Sequence, residues 1–78
     1  MMYFQRLRDL REDRDLTQDE ISKIIGINQR TYSLYELGKR TLPTRLLIAL
    51  ADFYATSTDY ILGRTNEITP FPKQRKPV

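Results

Sequence analysis

The chain has 78 residues, a net charge of +3 and neither cysteine nor histidine. A chain of this length builds one domain with a modest core, and without cysteine it forms no disulfide and no thiolate metal site. The absence of histidine removes the commonest general base and the commonest metal ligand. Because no glycine-rich phosphate loop is present either, we predict no metal, no cofactor and no enzymatic activity.

The charges are segregated along the sequence. Residues 15–25 carry a net charge of −2, whereas residues 26–42 carry +2 and residues 63–78 carry +3. Such basic stretches fit an anionic partner, although a solvated surface with a basic tail explains them equally well. No apolar run approaches the ~18 residues that a membrane span needs, and the charged N-terminus differs from a signal peptide. We therefore expect a soluble, cytoplasmic protein with no membrane contact.

The first predicted helix runs from Tyr3 to Arg14. Phe4, Leu7 and Leu10 recur at helical spacing and define its buried face. Asp15 is predicted to end this helix.

Capping signals define the next two helices. Thr17 and Glu20 have the spacing of a capping box, and the helix that they begin is predicted to end before Gly26. Asn28 is a favoured N-cap, so a third helix is predicted from there to about Leu37.

Two further helices and a tail complete the prediction. Pro43 fits the first turn of helix 4, whose residues 46–51 are apolar nearly all round, as in a central helix or one shared with a partner chain. Ser57 caps a short helix 5 that ends at Gly63. We predict one domain over 1–65 and an extended basic tail over 66–78 that contains Pro70, Pro72, Lys73, Arg75, Lys76 and Pro77.

The short link between helices 2 and 3 indicates a helix-turn-helix. Counted from Gln18, the fifth residue is Ser22, which is small enough for a close helix crossing, and the ninth is Gly26, where the turn needs a positive φ. The apolar inner positions are occupied by Ile21, Ile25, Ile27, Tyr32 and Tyr35.

The stretches LREDRDLTQDEISKIIGINQRTYSLYELGKR and LPTRLLIALADFYATSTDYILGRT resemble the Cro/cI-like (XRE) family of helix-turn-helix regulators. The resemblance covers about residues 4–65. The family often has glycine after helix 1, where this chain has Asp15, and aspartate tolerates the left-handed region better than most residues do. It implies an all-α, five-helix, lambda-repressor-like fold. It also implies a transcriptional regulator, often a repressor, that binds a palindromic double-stranded DNA operator as a homodimer.

The exposed side of helix 3 is the predicted base-reading surface. Gln29 and Arg30 lie in its N-terminal part, which reaches base edges in such motifs. Glutamine pairs with adenine and arginine with guanine in bidentate fashion. Ser33 lies one turn further along the same face, and Leu34 beside it is placed to touch a thymine methyl group. A plain solvated helix face is the alternative interpretation.

A second set of residues is predicted to contact DNA phosphates, which positions the protein without reading sequence. Helix 2 directs its N-terminus towards the backbone, and the family uses the residue that matches Gln18 as a phosphate clamp. The other predicted phosphate contacts are Thr17, Asn28, Lys39, Arg40 and Thr41. Helix capping or solvated surface charge is the alternative explanation for these residues.

The resemblance implies two structural sites as well. The family carries an ion pair at the positions of Arg11 and Glu36, which would lock the recognition helix to helix 1. We place the dimer contact near helix 5, at Tyr60, Leu62 and Arg64.

A protein-interaction module, antitoxin-like or antirepressor-like, is the main alternative function, because a fold alone does not fix function. The apolar helix 4 and the basic tail favour it. DNA binding is favoured by the joint presence of five polar residues, which such a module would have no reason to keep: Gln18, Gln29, Arg30, Lys39 and Arg40. The sequence identifies no small-molecule inducer. The tyrosines are predicted to pack in the core rather than to stack on bases; they are Tyr32, Tyr35, Tyr54 and Tyr60.

Overall fold

Five α-helices form the regular structure of residues 4–70, the part of the chain that the structure, a computed structural model, describes. They are α1 (Gln5–Asp13), α2 (Gln18–Ile25), α3 (Gln29–Glu36), α4 (Thr44–Phe53) and α5 (Thr58–Ile61). This part of the chain contains no strand, so the predicted all-α fold is confirmed. The predicted start of helix 1 at Tyr3 and the basic residues of the tail, Lys73, Arg75 and Lys76, lie outside the described residues.

Two helix starts differ from the prediction. Phe4 is the N-cap of α1 and is not helical (φ −93°, ψ 63°), so this helix begins at Gln5. Pro43 is the N-cap of α4 rather than a member of its first turn, because its ψ of 146° is extended while its ring holds φ at −62°. The Pro43 carbonyl still accepts hydrogen bonds from the Leu46 and Leu47 amides, both at 3.0 Å.

The core lies between the five helices, and each of them contributes at least one buried apolar side chain. Helix α4 is amphipathic rather than buried all round: Leu46, Leu50 and Ala51 are buried, whereas Ile48 is 48% exposed. The buried apolar residues are Phe4, Leu7, Leu10, Ile21, Tyr32, Tyr35, Leu42, Leu46, Leu50, Ala51, Tyr54 and Ile61. Three of the four tyrosines that were predicted to be core residues are therefore buried, and Tyr60 packs partly buried against this cluster.

All five helices end in the same motif, in which a left-handed residue follows the helix and two backbone hydrogen bonds close the last turn. After α1, the left-handed residue is Asp15 (φ 55°), in agreement with the sequence-based prediction. After α4 it is Ala55 (φ 53°), which no sequence signal marked. The other three positions are the glycines at 26, 38 and 63.

Arg6 connects α1 to the chain that follows α5. Its Nη1 donates hydrogen bonds to the carbonyl oxygens of Tyr60, at 2.9 Å, and Thr65, and its Nη2 donates to Asn66 Oδ1 at 2.6 Å. The guanidinium also lies 4.2 Å from the centre of the Tyr60 ring, a cation–π contact. The hydroxyl of Thr56 bonds to the Ile68 carbonyl at 2.5 Å, so residues 65–68 are held against the helices at two points.

Arg14 makes a similar connection at the C-terminal end of α4. Its Nη1 and Nη2 each donate a hydrogen bond at 3.3 Å, to the carbonyl oxygens of Phe53 and Tyr54. A cation at this end of a helix is favoured by the unsatisfied carbonyls and by the helix dipole. Within residues 4–70, no helix is sufficiently long and apolar to cross a membrane.

Candidate nucleic-acid interface

The turn between α2 and α3 has the geometry of a helix-turn-helix. Gly26 has a φ of 79°, which a side chain would strain, and the Ile27 amide donates to the Ser22 carbonyl at 2.9 Å. Ser22 is 1% exposed, and its hydroxyl bonds back to the Asp19 carbonyl at 2.7 Å. A small buried residue on α2 and a left-handed corner after it therefore bring α3 close against α2.

The first turn of α3 presents polar side chains to solvent. Asn28 caps the helix, since its Oδ1 accepts a hydrogen bond from the Thr31 amide at 2.8 Å. Gln29 and Arg30 are both exposed, whereas Tyr32, which lies on the opposite side of the helix from Arg30, is completely buried. The packing of α3 thus keeps its first-turn side chains at the surface, where a ligand can reach them.

Ser33 and Leu34 lie one turn further along α3. Both are partly exposed, whereas the next residue, Tyr35, is 6% exposed and packs in the core. Together with Gln29 and Arg30 they form a surface that we call the recognition face.

The N-terminus of α2 is closed by a capping box. The Thr17 hydroxyl accepts from the Glu20 amide at 3.1 Å, and the Glu20 carboxylate accepts from the Thr17 amide at 2.8 Å. Gln18, the first residue of the helix, is partly buried, and its Nε2 donates a hydrogen bond to Glu36 Oε1 at 3.3 Å. The predicted phosphate clamp is therefore held in contact with the end of α3.

The loop after α3 is basic and exposed. Lys39, Arg40 and Thr41 are all exposed. An eight-residue helix is about 12 Å long, so this loop and the Asn28 cap stand at opposite ends of the recognition face.

Arg11 and Glu36 form a largely buried ion pair between α1 and α3. The Arg11 Nε lies 2.7 Å from Glu36 Oε2, and Nη2 lies 3.3 Å from Oε1, while the exposed side-chain fractions are 12% for Arg11 and 5% for Glu36. The remaining Arg11 nitrogen, Nη1, donates to the Leu16 carbonyl at 2.9 Å. The hydrogen bond to Glu36 raises the pKa of Arg11 above its ordinary value, although burial opposes this shift. The pair thus fixes the C-terminal end of α3 against α1.

Two tyrosine hydroxyls lie near the same carboxylate. Burial raises the pKa of Tyr32 well above its usual range and that of Tyr54 to about 12, and the negative charge of Glu36 adds to both shifts. Neither hydroxyl has a hydrogen-bond partner of standard geometry among the described residues. Both tyrosines stay protonated at neutral pH, and the hydrogen bonds of standard geometry to Glu36 come from Arg11 and Gln18.

The comparisons with known proteins agree with this geometry. Residues 7–61 match the model of a helix-turn-helix family. The chain belongs to the Cro/cI-like (XRE) helix-turn-helix family. It is 42% identical over 69 residues to the uncharacterized HTH-type transcriptional regulator YobD of Bacillus subtilis, covering 88% of this chain and 62% of that protein.

Two further relatives are a phage repressor and an antitoxin. The cryptic phage CTXphi transcriptional repressor RstR of Vibrio cholerae is 40% identical over 53 residues, 68% of this chain and 48% of the repressor. Antitoxin PezA of Streptococcus pneumoniae serotype 4 is 30% identical over 69 residues, 88% of this chain and 44% of the antitoxin. The chain thus spans about half to two thirds of the length of the curated relatives that it matches.

The α5 edge of the helix-turn-helix domain holds the residues predicted to form a dimer contact. Tyr60 and Leu62 are partly buried and Arg64 is exposed. One face of the Tyr60 ring is covered by Arg6 of the same chain. Sequence reasoning missed Arg6, because its hydrogen-bond partners lie 54 to 60 residues away and no local pattern marks them.

Metal binding has no candidate site in the described residues. Among residues 4–70, no three or more acidic, cysteine or histidine side chains come together in a way that could hold a metal ion.

Proposed function

We propose that this chain is a sequence-specific double-stranded DNA-binding transcriptional regulator, a repressor, that inserts α3 into the major groove. The observation that carries the proposal is the exposure of Gln29 and Arg30 on a helix start that is fixed by the Asn28 cap and the Gly26 turn. The major groove is about 12 Å wide and admits one α-helix. The proposed site of action is the cytoplasm, where bacterial and phage DNA are transcribed.

The recognition face supplies specificity in this proposal. Gln29 is suited to a bidentate contact with adenine and Arg30 to one with guanine, and each good bidentate pair discriminates by about 1–3 kcal/mol against a wrong base. Ser33 contacts a base by its hydroxyl, and Leu34 contacts a thymine methyl group. All four side chains are at least partly exposed, which supports these roles.

Phosphate contacts supply most of the affinity. Gln18 and the first-turn amides of α2 meet the backbone on one side of the groove, with Thr17 and Asn28 at the two helix starts. On the other side, Lys39, Arg40 and Thr41 meet the backbone beyond the end of α3. The exposure of this loop and the net positive charge of residues 26–42 support the assignment.

We also propose that two copies bind a palindromic operator as a homodimer. One eight-residue helix reads only a few base pairs, and a second copy on a half-site one helical turn away adds affinity without a larger domain. Tyr60, Leu62 and Arg64 on the α5 edge are the proposed contact, and their partial or full exposure leaves them accessible.

Selection of binding sequences from random duplex DNA tests the proposal, because it yields the half-site and its symmetry at once. The affinity for the selected duplex and for a scrambled duplex is then measured over a series of salt concentrations. We expect a steep fall of affinity with salt for both duplexes.

Variants separate base contacts from phosphate contacts in the same assay. Replacement of Gln29 and Arg30 together by alanine removes the preference for the selected duplex, whereas Lys39→Ala weakens binding to both duplexes by a similar factor. Selection that enriches no sequence, together with salt-independent binding, would contradict the proposal.

A protein-interaction module on the same fold is the second candidate. It is favoured by the similarity to an antitoxin and by two half-exposed apolar side chains, Ile48 (48%) and Ile68 (47%). Under this alternative, Ile48→Ser abolishes partner binding while the Gln29→Ala, Arg30→Ala variant retains it. Under the DNA-binding proposal, Ile48→Ser leaves duplex binding unchanged, whereas the Gln29→Ala, Arg30→Ala variant loses its preference for the selected duplex.

A further inference from the structure

The side chain of Gln18 is in contact with the ion pair that ties α3 to α1. Its Nε2 donates to Glu36 Oε1 at 3.3 Å, and the same oxygen accepts from Arg11 Nη2 at 3.3 Å. Glu36 is the last residue of α3 and Gln18 is the first residue of α2. One carboxylate therefore joins the end of the recognition helix to the start of the helix that faces the DNA backbone.

The chemistry of this contact fixes which way the Gln18 amide points. An ionised carboxylate only accepts hydrogen bonds, so the NH₂ group of Gln18, and not its carbonyl oxygen, must face Glu36. The other hydrogen of that NH₂ group is left to donate elsewhere. Without Glu36, a long glutamine side chain at a helix start has several rotamers and two amide orientations, and ordering it on binding costs entropy.

Arg11 makes the arrangement compatible with a nearby phosphate. A bare carboxylate beside a DNA phosphate would repel it, but the guanidinium of Arg11 pairs with Glu36 through two nitrogens, at 2.7 and 3.3 Å. The pair is nearly neutral as a unit, so Gln18 can donate one hydrogen to Glu36 and the other to a phosphate oxygen without net repulsion.

We propose that Glu36 is a positioning residue for DNA backbone binding, which orients the Gln18 amide towards a phosphate through their hydrogen bond. Glu36 thereby has a role beyond the stability of the ion pair. The inference rests on the proposed function, because it assigns Gln18 a phosphate contact.

A double-mutant cycle on duplex affinity tests this inference. The variants are Gln18→Ala, Glu36→Gln and the combination of both, with the selected duplex as the probe and each protein shown to be folded by circular dichroism. Lys39→Ala, alone and with Glu36→Gln, is the matched control, because Lys39 is a proposed phosphate contact on the loop beyond Glu36. Arg30→Ala reports on base reading.

We expect Gln18→Ala to weaken binding about fivefold, which is the loss of one hydrogen bond. The side chain introduced by Glu36→Gln still offers a carbonyl oxygen, but it also carries an NH₂ donor, so it accepts the Gln18 amide in either orientation and no longer fixes which way that amide points. We therefore expect Glu36→Gln to weaken binding about threefold in the wild-type and Lys39→Ala backgrounds and to have no effect when Gln18 is already alanine. A general shift of α3 or of the electrostatic potential would act equally in all three backgrounds.

An equal loss from Glu36→Gln in the Gln18→Ala background overturns the inference and leaves the proposed function intact. If Gln18→Ala, Lys39→Ala and Arg30→Ala all leave duplex binding unchanged, the proposed function fails together with it.

Glu36→Gln leaves the largely buried Arg11 without a charged partner, and the fold must tolerate that charge. A second variant avoids this requirement. Replacement of Arg11 by Met together with Glu36 by Leu deletes both charges, and such apolar replacements of buried ion pairs are often tolerated. Unlike Glu36→Gln, this variant has no side-chain acceptor for Gln18 at position 36. We expect it to bind DNA about threefold more weakly and to lose less than a further twofold on Gln18→Ala, whereas a fivefold loss on Gln18→Ala, equal to that of the wild type, would overturn the inference.

Discussion

Two regions of the molecule are held together by different kinds of contact. One is the α2–α3 unit, residues 17–38, and the other is the α1–α5 edge, where Arg6 contacts residues 60–66. In the α2–α3 unit, the capping interactions and the turn are formed by residues within five positions of each other, such as Thr17 with Glu20 and Ile27 with Ser22. At the α1–α5 edge, Arg6 bonds to residues 54 to 60 positions away. The surface proposed to read DNA is thus fixed largely by local geometry, whereas the surface proposed to form a dimer depends on a contact that forms only when the whole domain has folded.

Removal of Glu36 is expected to give the largest loss of unfolding free energy, because the ion pair of Glu36 with Arg11 joins the α2–α3 unit to α1. Glu36→Ala leaves the guanidinium of Arg11 largely buried without its partner, and breaking such a pair costs about 3–5 kcal/mol in the free energy of unfolding. Urea denaturation followed by circular dichroism measures the change.

Glu12→Ala is the matched control, since Glu12 pairs with Arg8 at 3.2 Å but both side chains are more than half exposed. Exposed pairs of this type contribute about 0–1 kcal/mol. Equal losses of unfolding free energy in the two variants would show that the buried pair does not anchor α3.

Arg6→Ala tests the α1–α5 edge directly. It removes hydrogen bonds to the Tyr60 and Thr65 carbonyls and the stack on the Tyr60 ring, and we expect a loss of about 2 kcal/mol. Amide hydrogen exchange should increase at residues 60–66 and stay unchanged at those amides of α2 and α3 that exchange by local opening, whereas amides that exchange only by global unfolding speed up with the loss of stability. Arg8→Ala, in the exposed pair on the same helix, should change neither quantity appreciably, and faster local exchange in α2 after Arg6→Ala would contradict the separation of the two regions.

The difference between the regions also explains how far the sequence alone predicts the structure. The caps at Thr17, Asn28 and Ser57 and the turn at Gly26 were predicted because each depends on a few adjacent residues. The partners Arg11 and Glu36 were assigned by family resemblance and not by any local pattern.

Contacts between distant segments could not be predicted in this way. Arg6 and Arg14 donate to backbone carbonyls at 60, 65, 53 and 54, and a carbonyl is present at every residue, so its position carries no sequence signal. The contact of Gln18 with Glu36 depends in the same way on how α2 and α3 pack. In the candidate site, the sequence therefore indicated which residues face outward, and the structure adds a hydrogen bond between Gln18 and Glu36 that no local pattern marks.

Thr17→Ala tests the local stabilisation of the α2–α3 unit. Loss of an N-cap side chain costs about 1 kcal/mol, because the Glu20 amide loses its hydrogen-bond acceptor. Thr17→Ser keeps the hydroxyl and should restore most of the unfolding free energy. A Thr17→Ser variant as unstable as Thr17→Ala would mean that the methyl group, and not the capping hydroxyl, provides the stabilisation.

The smallest expected effect is a gain in stability from a substitution at Ala55, in the turn between α4 and α5. Ala55 has a φ of 53°, and the left-handed region costs a residue with a Cβ about 1–2 kcal/mol. Glycine removes this strain but adds about 0.4–1 kcal/mol of unfolded-state entropy, so Ala55→Gly should stabilise the domain by about 0.5–1 kcal/mol. Ala49→Gly, at an exposed position inside α4, should instead destabilise it by about 1 kcal/mol. Thermal unfolding measures both changes. If both substitutions are destabilising, packing around the Ala55 methyl group outweighs the backbone strain. The turn after α4 is then held by tertiary contacts, as the α1–α5 edge is.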